Sequence, residues 1–140
     1  MAEGTGKTFE LSLVTPDGAA YEGEAEMLIV PGADGEIGVL ARHAPLVAML
    51  KAGEIRVKAD GSWESFAAGP GYFKVQQDRA IVLVDDAVRA EDIDVEAARR
   101  EVEEARALLE RAEADEDLDR WKVEQQLRHA ENKLEVAGRG

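Results

Sequence analysis

Cysteine is absent from the 140 residues, and histidine occurs only as His43 and His129. Disulfides and thiolate metal centres are therefore excluded, and two imidazoles argue against a zinc site. Aromatic residues make up only 5% of the sequence, so a core must be built mainly from aliphatic side chains. No apolar run approaches the roughly 20 residues of a membrane helix, and the first residues lack the basic-then-apolar layout of a signal peptide. Direct membrane insertion is not expected, and the chain should stay in the cytoplasm. Positive charge is also scarce: 17 Lys and Arg against 30 Asp and Glu give a formal net charge of −13. Phosphate backbones are gripped by clustered basic surface, so nucleic acid is not an expected partner.

Catalytic constellations are missing too. Gly4-Thr5-Gly6-Lys7-Thr8 looks like half of a phosphate-binding loop, but the first glycine of the motif and a preceding apolar strand are lacking. His43 could serve as a base near Glu36, yet no serine or cysteine nucleophile is placed with them by a motif. Asp85-Asp86 reads as a solvated turn at a strand end. Residues 1–8 offer little to bury and are expected to be loose.

What is present is a sharp change of hydrophobic period near residues 85–92. Before it, apolar residues alternate in short runs: Phe9, Leu11, Leu13; Ile55, Val57; Phe73, Val75; Ile81, Leu83. Turn formers such as Pro16-Asp17-Gly18, Asp60-Gly61 and Gly69-Pro70-Gly71 bound the runs, the pattern of a β-sandwich or barrel. After it, Val95, Ala98, Val102, Ala105, Leu109 and Ala112 recur at steps of three and four, and Val123, Leu127, Ala130, Leu134 and Ala137 repeat the stripe. Residues 114–119 supply a turn, with Asp94 and Asp117 as N-caps. The fold class that follows is α+β, mainly β: an antiparallel N-terminal β-sandwich over residues 9–88, then an antiparallel two-helix hairpin over residues 89–140.

The hairpin seam is light, since alanine stands at five stripe positions and each missing methylene forgoes about 0.8 kcal/mol of burial. Two states are compatible with it: a permanently docked hairpin, or one poised between two dockings. At about 100° per residue, Arg120, Lys122, Arg128, Lys133 and Arg139 spread over the side of the last helix away from Val123, Leu127 and Leu134. A basic face is expected there, either merely solvated or turned toward an acidic partner.

The densest local specification lies in residues 32–46, GADGEIGVLARHAPL. Ala33-Asp34-Gly35 separates two short apolar runs, and Pro45 fixes a corner, so a strand, a tight turn, a second strand and a rigid bend are expected. This run resembles the signature of the epsilon subunit of F-type ATP synthases, a Gly-x-x-Gly-Glu-x-Gly segment followed by His-Ala-Pro-Leu. Gly32, Gly35, Glu36, Gly38, His43, Ala44, Pro45 and Leu46 all match. The flanking FELSLVTPDG and EAEMLIVPG stretches and the C-terminal hairpin extend the resemblance over nearly the whole chain.

The resemblance implies a non-catalytic rotor subunit that turns with the gamma subunit and joins the catalytic head to the membrane ring of c subunits. It also implies restraint of ATP hydrolysis by the hairpin, and a peripheral place at the cytoplasmic face of the bacterial cell membrane. Asp34, Gly35, Glu36 and His43 are then expected at the c-ring or gamma contact. Arg120, Lys122, Arg128 and Lys133 are expected to approach the alpha/beta catalytic ring. Some members bind ATP through an Ile/Leu-Asp-x-x-Arg-Ala motif at the first helix of the hairpin. Here Ile93, Asp94 and Ala98 match, but Ala97 replaces the arginine, and His129 and Lys133 stand where such relatives carry arginines. Without those guanidinium forks ATP is expected to bind weakly or not at all, and no cofactor is called for. The alternatives from other classes are a free-standing nucleotide-sensing or ligand-binding sandwich, and an acid/base hydrolase built on Glu36 and His43.

Overall fold

A computed structural model describes residues 7–138. Ten strands come first: β1 Phe9–Thr15, β2 Gly18–Ala25, β3 Met27–Gly32, β4 Gly35–Leu40, β5 Leu46–Leu50, β6 Gly53–Ala59, β7 Ser62–Ala68, β8 Gly71–Gln76, β9 Arg79–Val84 and β10 Ala87–Arg89. A 3-10 turn, Ala90–Asp92, leads into α1 Val95–Ala112 and α2 Arg120–Ala137. Most of residues 1–8, the segment expected to be loose, lie outside the described range, as does Arg139.

The strands form one sheet in the order β10-β7-β6-β3-β5-β8-β9-β1-β2, with β4 on β3. All pairings are antiparallel except β1 with β9, which run parallel from Glu10↔Arg79 to Val14↔Leu83. β3 pairs with β6 over Met27, Leu28 and Ile29 but with β5 only through Gly32↔Leu50. The sheet turns over at that single pair, so the β4/β3/β6/β7/β10 part and the β5/β8/β9/β1/β2 part share one interior. Phe66 and Phe73 are its largest fully buried side chains, surrounded by Leu11, Leu13, Leu28, Val30, Ile55, Val57, Val75 and Val82. At about 25 cal/mol per Å² of apolar surface removed from water, this aliphatic interior is what holds the strands together.

The expected alternation holds in β1, β6 and β8. In β9 the inside and outside are exchanged: Ala80, Val82 and Val84 are buried, whereas Ile81 is 37% exposed. Five apolar residues in succession, AIVLV, carry no period from which to choose a face.

β10 is fastened to β7 by Ala87↔Ala68, Val88↔Ala67 and Arg89↔Phe66. The Arg89 guanidinium lies over the Phe66 ring, 5.1 Å from its centre, and pairs with Glu64. In the hairpin, Ala98, Val102, Ala105, Val123 and Ala130 are buried along the expected seam. Asp94 caps α1 by accepting the Ala97 N–H at 3.0 Å. The cap of α2 is Asp119, which accepts the Lys122 N–H, and not Asp117, whose own N–H donates to Asp115 inside the turn. Several aspartates in one short loop all have capping chemistry, and the first helical residue decided among them.

Candidate functional site

Three surfaces of the described residues carry chemistry or unpaired apolar area. The first is the β3–β4 turn. Gly32 pairs with Gly35, whose φ of 139° a side chain would resist, and Asp34, Gly35 and Glu36 are exposed. Arg56 reaches Glu36 at 3.3 Å from β6. The turn is anchored behind by two backbone bonds: the Ala33 N–H donates to the Met49 carbonyl and the Lys51 N–H to the Pro31 carbonyl, both at 3.0 Å. His43 lies beyond the far end of β4, its N–H donating to the Leu40 carbonyl and its Nδ1 2.7 Å from the Ala44 carbonyl. At about 3.3 Å per residue, β4 holds Glu36 and His43 more than about 10 Å apart. The two are not brought together, and the acid/base pair has no geometric basis.

The second surface was not foreseen. Directly opposed residues of adjacent strands share a face, and the registers Met49↔Tyr72↔Leu83 and Val47↔Lys74↔Ile81 set two rows side by side across β5, β8 and β9. Val47 is 66% exposed, Met49 64% and Tyr72 46%. The first row is apolar and aromatic throughout, whereas the second carries the exposed Lys74 at its centre; apolar side chains grouped in this way are what a docking surface offers. Its signal in the sequence was the unbroken apolar run of β9, which has no solvent-facing side to spare. The rim of this surface meets the β3–β4 turn, because Asp34, Glu36, Ile37, Val47 and Met49 line one shallow groove.

The third surface is the seam between hairpin and sandwich. α2 packs on β6 and β7, and its Gln125, 7% exposed, accepts the buried Ala52 N–H at 2.7 Å. One turn on, His129 Nε2 is 2.8 Å from Asp86 Oδ2. Lys133 lies 3.0 Å from Glu101 of α1 and 3.8 Å from Asp86. The hydrogen bond from His129, with the charges of His129 and Lys133, holds the Asp86 carboxyl below the usual carboxylate range, while burial pushes Asp85 up. Asp86 is thus a docking anchor and not a solvated turn residue. Lys133 departs from the expected open basic face: its side chain is 14% exposed and occupied by two carboxylates. Arg128 and Lys122 are exposed, whereas Arg120 lies 3.6 Å from both Glu113 and Glu124.

Ile93 is half-buried at the end of the 3-10 turn, and the Ala98 N–H donates to the Asp94 carbonyl at 2.9 Å. Asp94 and Ala97 are joined as cap and capped residue, so this stretch does the work of a helix start.

Family models cover the described chain almost end to end. The β-sandwich domain of the ATP synthase delta/epsilon chain matches residues 8–90, and its long α-helix domain matches residues 91–138. The chain belongs to the ATP synthase delta/epsilon family. Among curated relatives, the ATP synthase epsilon chain of Halalkalibacterium halodurans is 41% identical over 132 residues, 94% of this chain and 98% of that one. The sodium ion specific epsilon chain of Propionigenium modestum is 34% identical over 130 residues, 93% of each. A chain of the mitochondrial ATP synthase of Euglena gracilis, solved as an assembly of OSCP, F1 and c-ring, superposes with a TM-score of 0.74 at 26% identity, covering 90% of this chain and 79% of that one. The sandwich-plus-hairpin architecture is therefore that of the delta/epsilon family. Among the described residues no helix is long and apolar enough to cross a membrane.

Proposed function

We propose that the chain is the epsilon-type subunit of an ATP synthase rotor, performing no bond chemistry itself. It couples the gamma subunit and the alpha/beta catalytic head to the c-ring, and its hairpin restrains ATP hydrolysis. It sits at the cytoplasmic face of a bacterial membrane as a peripheral part of the complex.

The observation that carries this reading is the continuity of the first two surfaces. The rows on β5, β8 and β9, apolar but for Lys74, run directly into the acidic β3–β4 turn. One surface offers area for a permanent partner and the other a polar tip, which suits a subunit wedged between a shaft and a ring. In this reading gamma covers Val47, Met49, Tyr72 and Ile81. Asp34, Gly35 and Glu36 meet the polar loops of the c subunits, with His43 ordering the corner after β4. Arg120, Lys122 and Arg128 are the cations that an extended hairpin presents to the catalytic ring, and Lys133 joins them only after it leaves Glu101 and Asp86.

The test is co-purification with gamma from the assembled complex. Met49→Asp places a negative charge beside Tyr72 at the β5 end of the apolar row and should abolish capture. Single cysteines at positions 34 to 38 should cross-link to c-subunit loops. Full capture by the Met49→Asp chain would overturn the assignment of the gamma face, and cross-links only from the opposite end of the sandwich would overturn the orientation.

A further inference from the structure

Three cross-strand rows lie side by side on the face given above to gamma: Met49, Tyr72 and Leu83; then Val47, Lys74 and Ile81; then Gln76 and Arg79, with Glu10 of β1 beside Arg79. Lys74 occupies the middle of the middle row. Val47 and Ile81 flank it directly, and Tyr72 stands two residues back on the same side of β8. The lysine is exposed and lines a shallow cavity of about 400 Å³ with Gln76, Gln77, Arg79 and Ile81. The neighbouring cation is already engaged, since Arg79 lies 2.8 Å from Glu10. Lys74 has no such partner: the chain carries 30 Asp and Glu, yet among the described residues none pairs with it.

A lone ammonium among apolar side chains is stable while water reaches it. Once a partner covers the surface that water is lost, and only an opposite charge at hydrogen-bond distance offsets the loss. Interface cores are depleted in lysine for this reason. We infer that Lys74 is the specificity-determining residue of this face: the gamma surface that covers it presents a carboxylate to the Lys74 ammonium, framed by apolar side chains that meet Val47, Tyr72 and Ile81. The apolar neighbours supply area and would accept many apolar surfaces, whereas the charge fixes register and partner. A shaft with an acidic group at that spot is admitted. One with an apolar or basic group there is rejected, because it would leave the ammonium desolvated and unpaired. This role of Lys74 rests on the gamma assignment proposed above, and the variants below separate the two.

The measurement is the Kd and dissociation rate of the full chain with its own gamma subunit. Lys74→Met keeps the length of the side chain and removes its charge; with no partner inside the chain to lose, it should leave the thermal midpoint unchanged. It should raise the Kd about thirtyfold or more, chiefly through faster dissociation, because the carboxylate of gamma is left buried and unpaired. Lys74→Glu should be weaker still and Lys74→Arg close to the native chain. One Asp→Lys or Glu→Lys substitution in gamma should then restore binding of the Lys74→Glu chain. The role of Lys74 is overturned if Lys74→Met binds gamma as tightly as the native chain, or if no charge reversal in gamma rescues Lys74→Glu. Loss of binding by Met49→Asp alongside native binding by Lys74→Met would keep the gamma face and remove the lysine from it, whereas native binding by Met49→Asp would overturn the face itself.

Discussion

Asp85 and Asp86 are consecutive in the chain and are driven in opposite directions: burial raises the first carboxyl, and the His129 hydrogen bond lowers the second. The two contribute to stability with opposite pH dependence. A carboxyl lowered in the fold stabilises above its ordinary pKa of about 3.9, and that contribution disappears as pH falls through the lowered value. For a raised carboxyl the contribution is complete below the ordinary value and lost as pH rises through the raised one. Asp86→Asn should therefore cost about 0.5–1 kcal/mol at pH 7, a surface-pair magnitude, and nothing once the pH lies below the lowered value. Asp85→Asn should be neutral to stabilising at pH 7. Urea unfolding of both variants between pH 2 and 7 checks the signs; two losses of equal size at pH 7 would contradict them.

Gly71 begins β8 where β9 passes close behind it. A Cβ at this position would overlap the Leu83 carbonyl oxygen, a backbone atom that cannot swing aside. Gly71→Ala should cost about 3 kcal/mol or more, read as a drop in the thermal midpoint. Gly61→Ala, on a turn with open space but a φ of 76°, should cost less. Equal losses would mean that the strands can part freely at Gly71.

ATP should bind the isolated chain weakly or not at all. Ala97 offers no guanidinium, and Lys133 and His129 are already taken by Glu101 and Asp86. Calorimetric titration at low salt is the measurement. Micromolar affinity would show that Arg99, paired with Glu96, or its neighbour Arg100 has turned to the nucleotide.

A chain ending after Asp92 keeps Arg89 on Glu64 and Phe66 and retains the whole interior of the sheet. It should fold and still join gamma to the ring, while the assembled ATPase loses its restraint. An unchanged hydrolysis rate on truncation would remove the hairpin from regulation, and a truncated chain that does not fold would show that the sandwich depends on α2.

The helices, the β3–β4 turn and most strands were legible because each is written in local chemistry: a period, a cap, a glycine with positive φ. The orientation of β9 was not, since both its faces are apolar and only its register with β8, which sets Val82 beside Phe73 and Ala80 beside Val75 in the interior, tells them apart. Asp86, Gln125 and Lys133 were misread or missed for a related reason. A carboxylate after a strand and a polar stripe on a helix look solvated until the fold brings residues 73, 43 and 47 positions away against them. Long-range polar contacts leave no periodic trace in a single sequence.

The segment from Met49 to Ala52 is gripped from both sides: its first carbonyl and the Lys51 amide hold the acidic β3–β4 turn, and the Ala52 amide holds α2. It is a short bridge between the two elements, its ends three residues apart. The turn bearing Asp34 and Glu36 and the Gln125 side chain are thus hydrogen-bonded to one four-residue stretch of backbone.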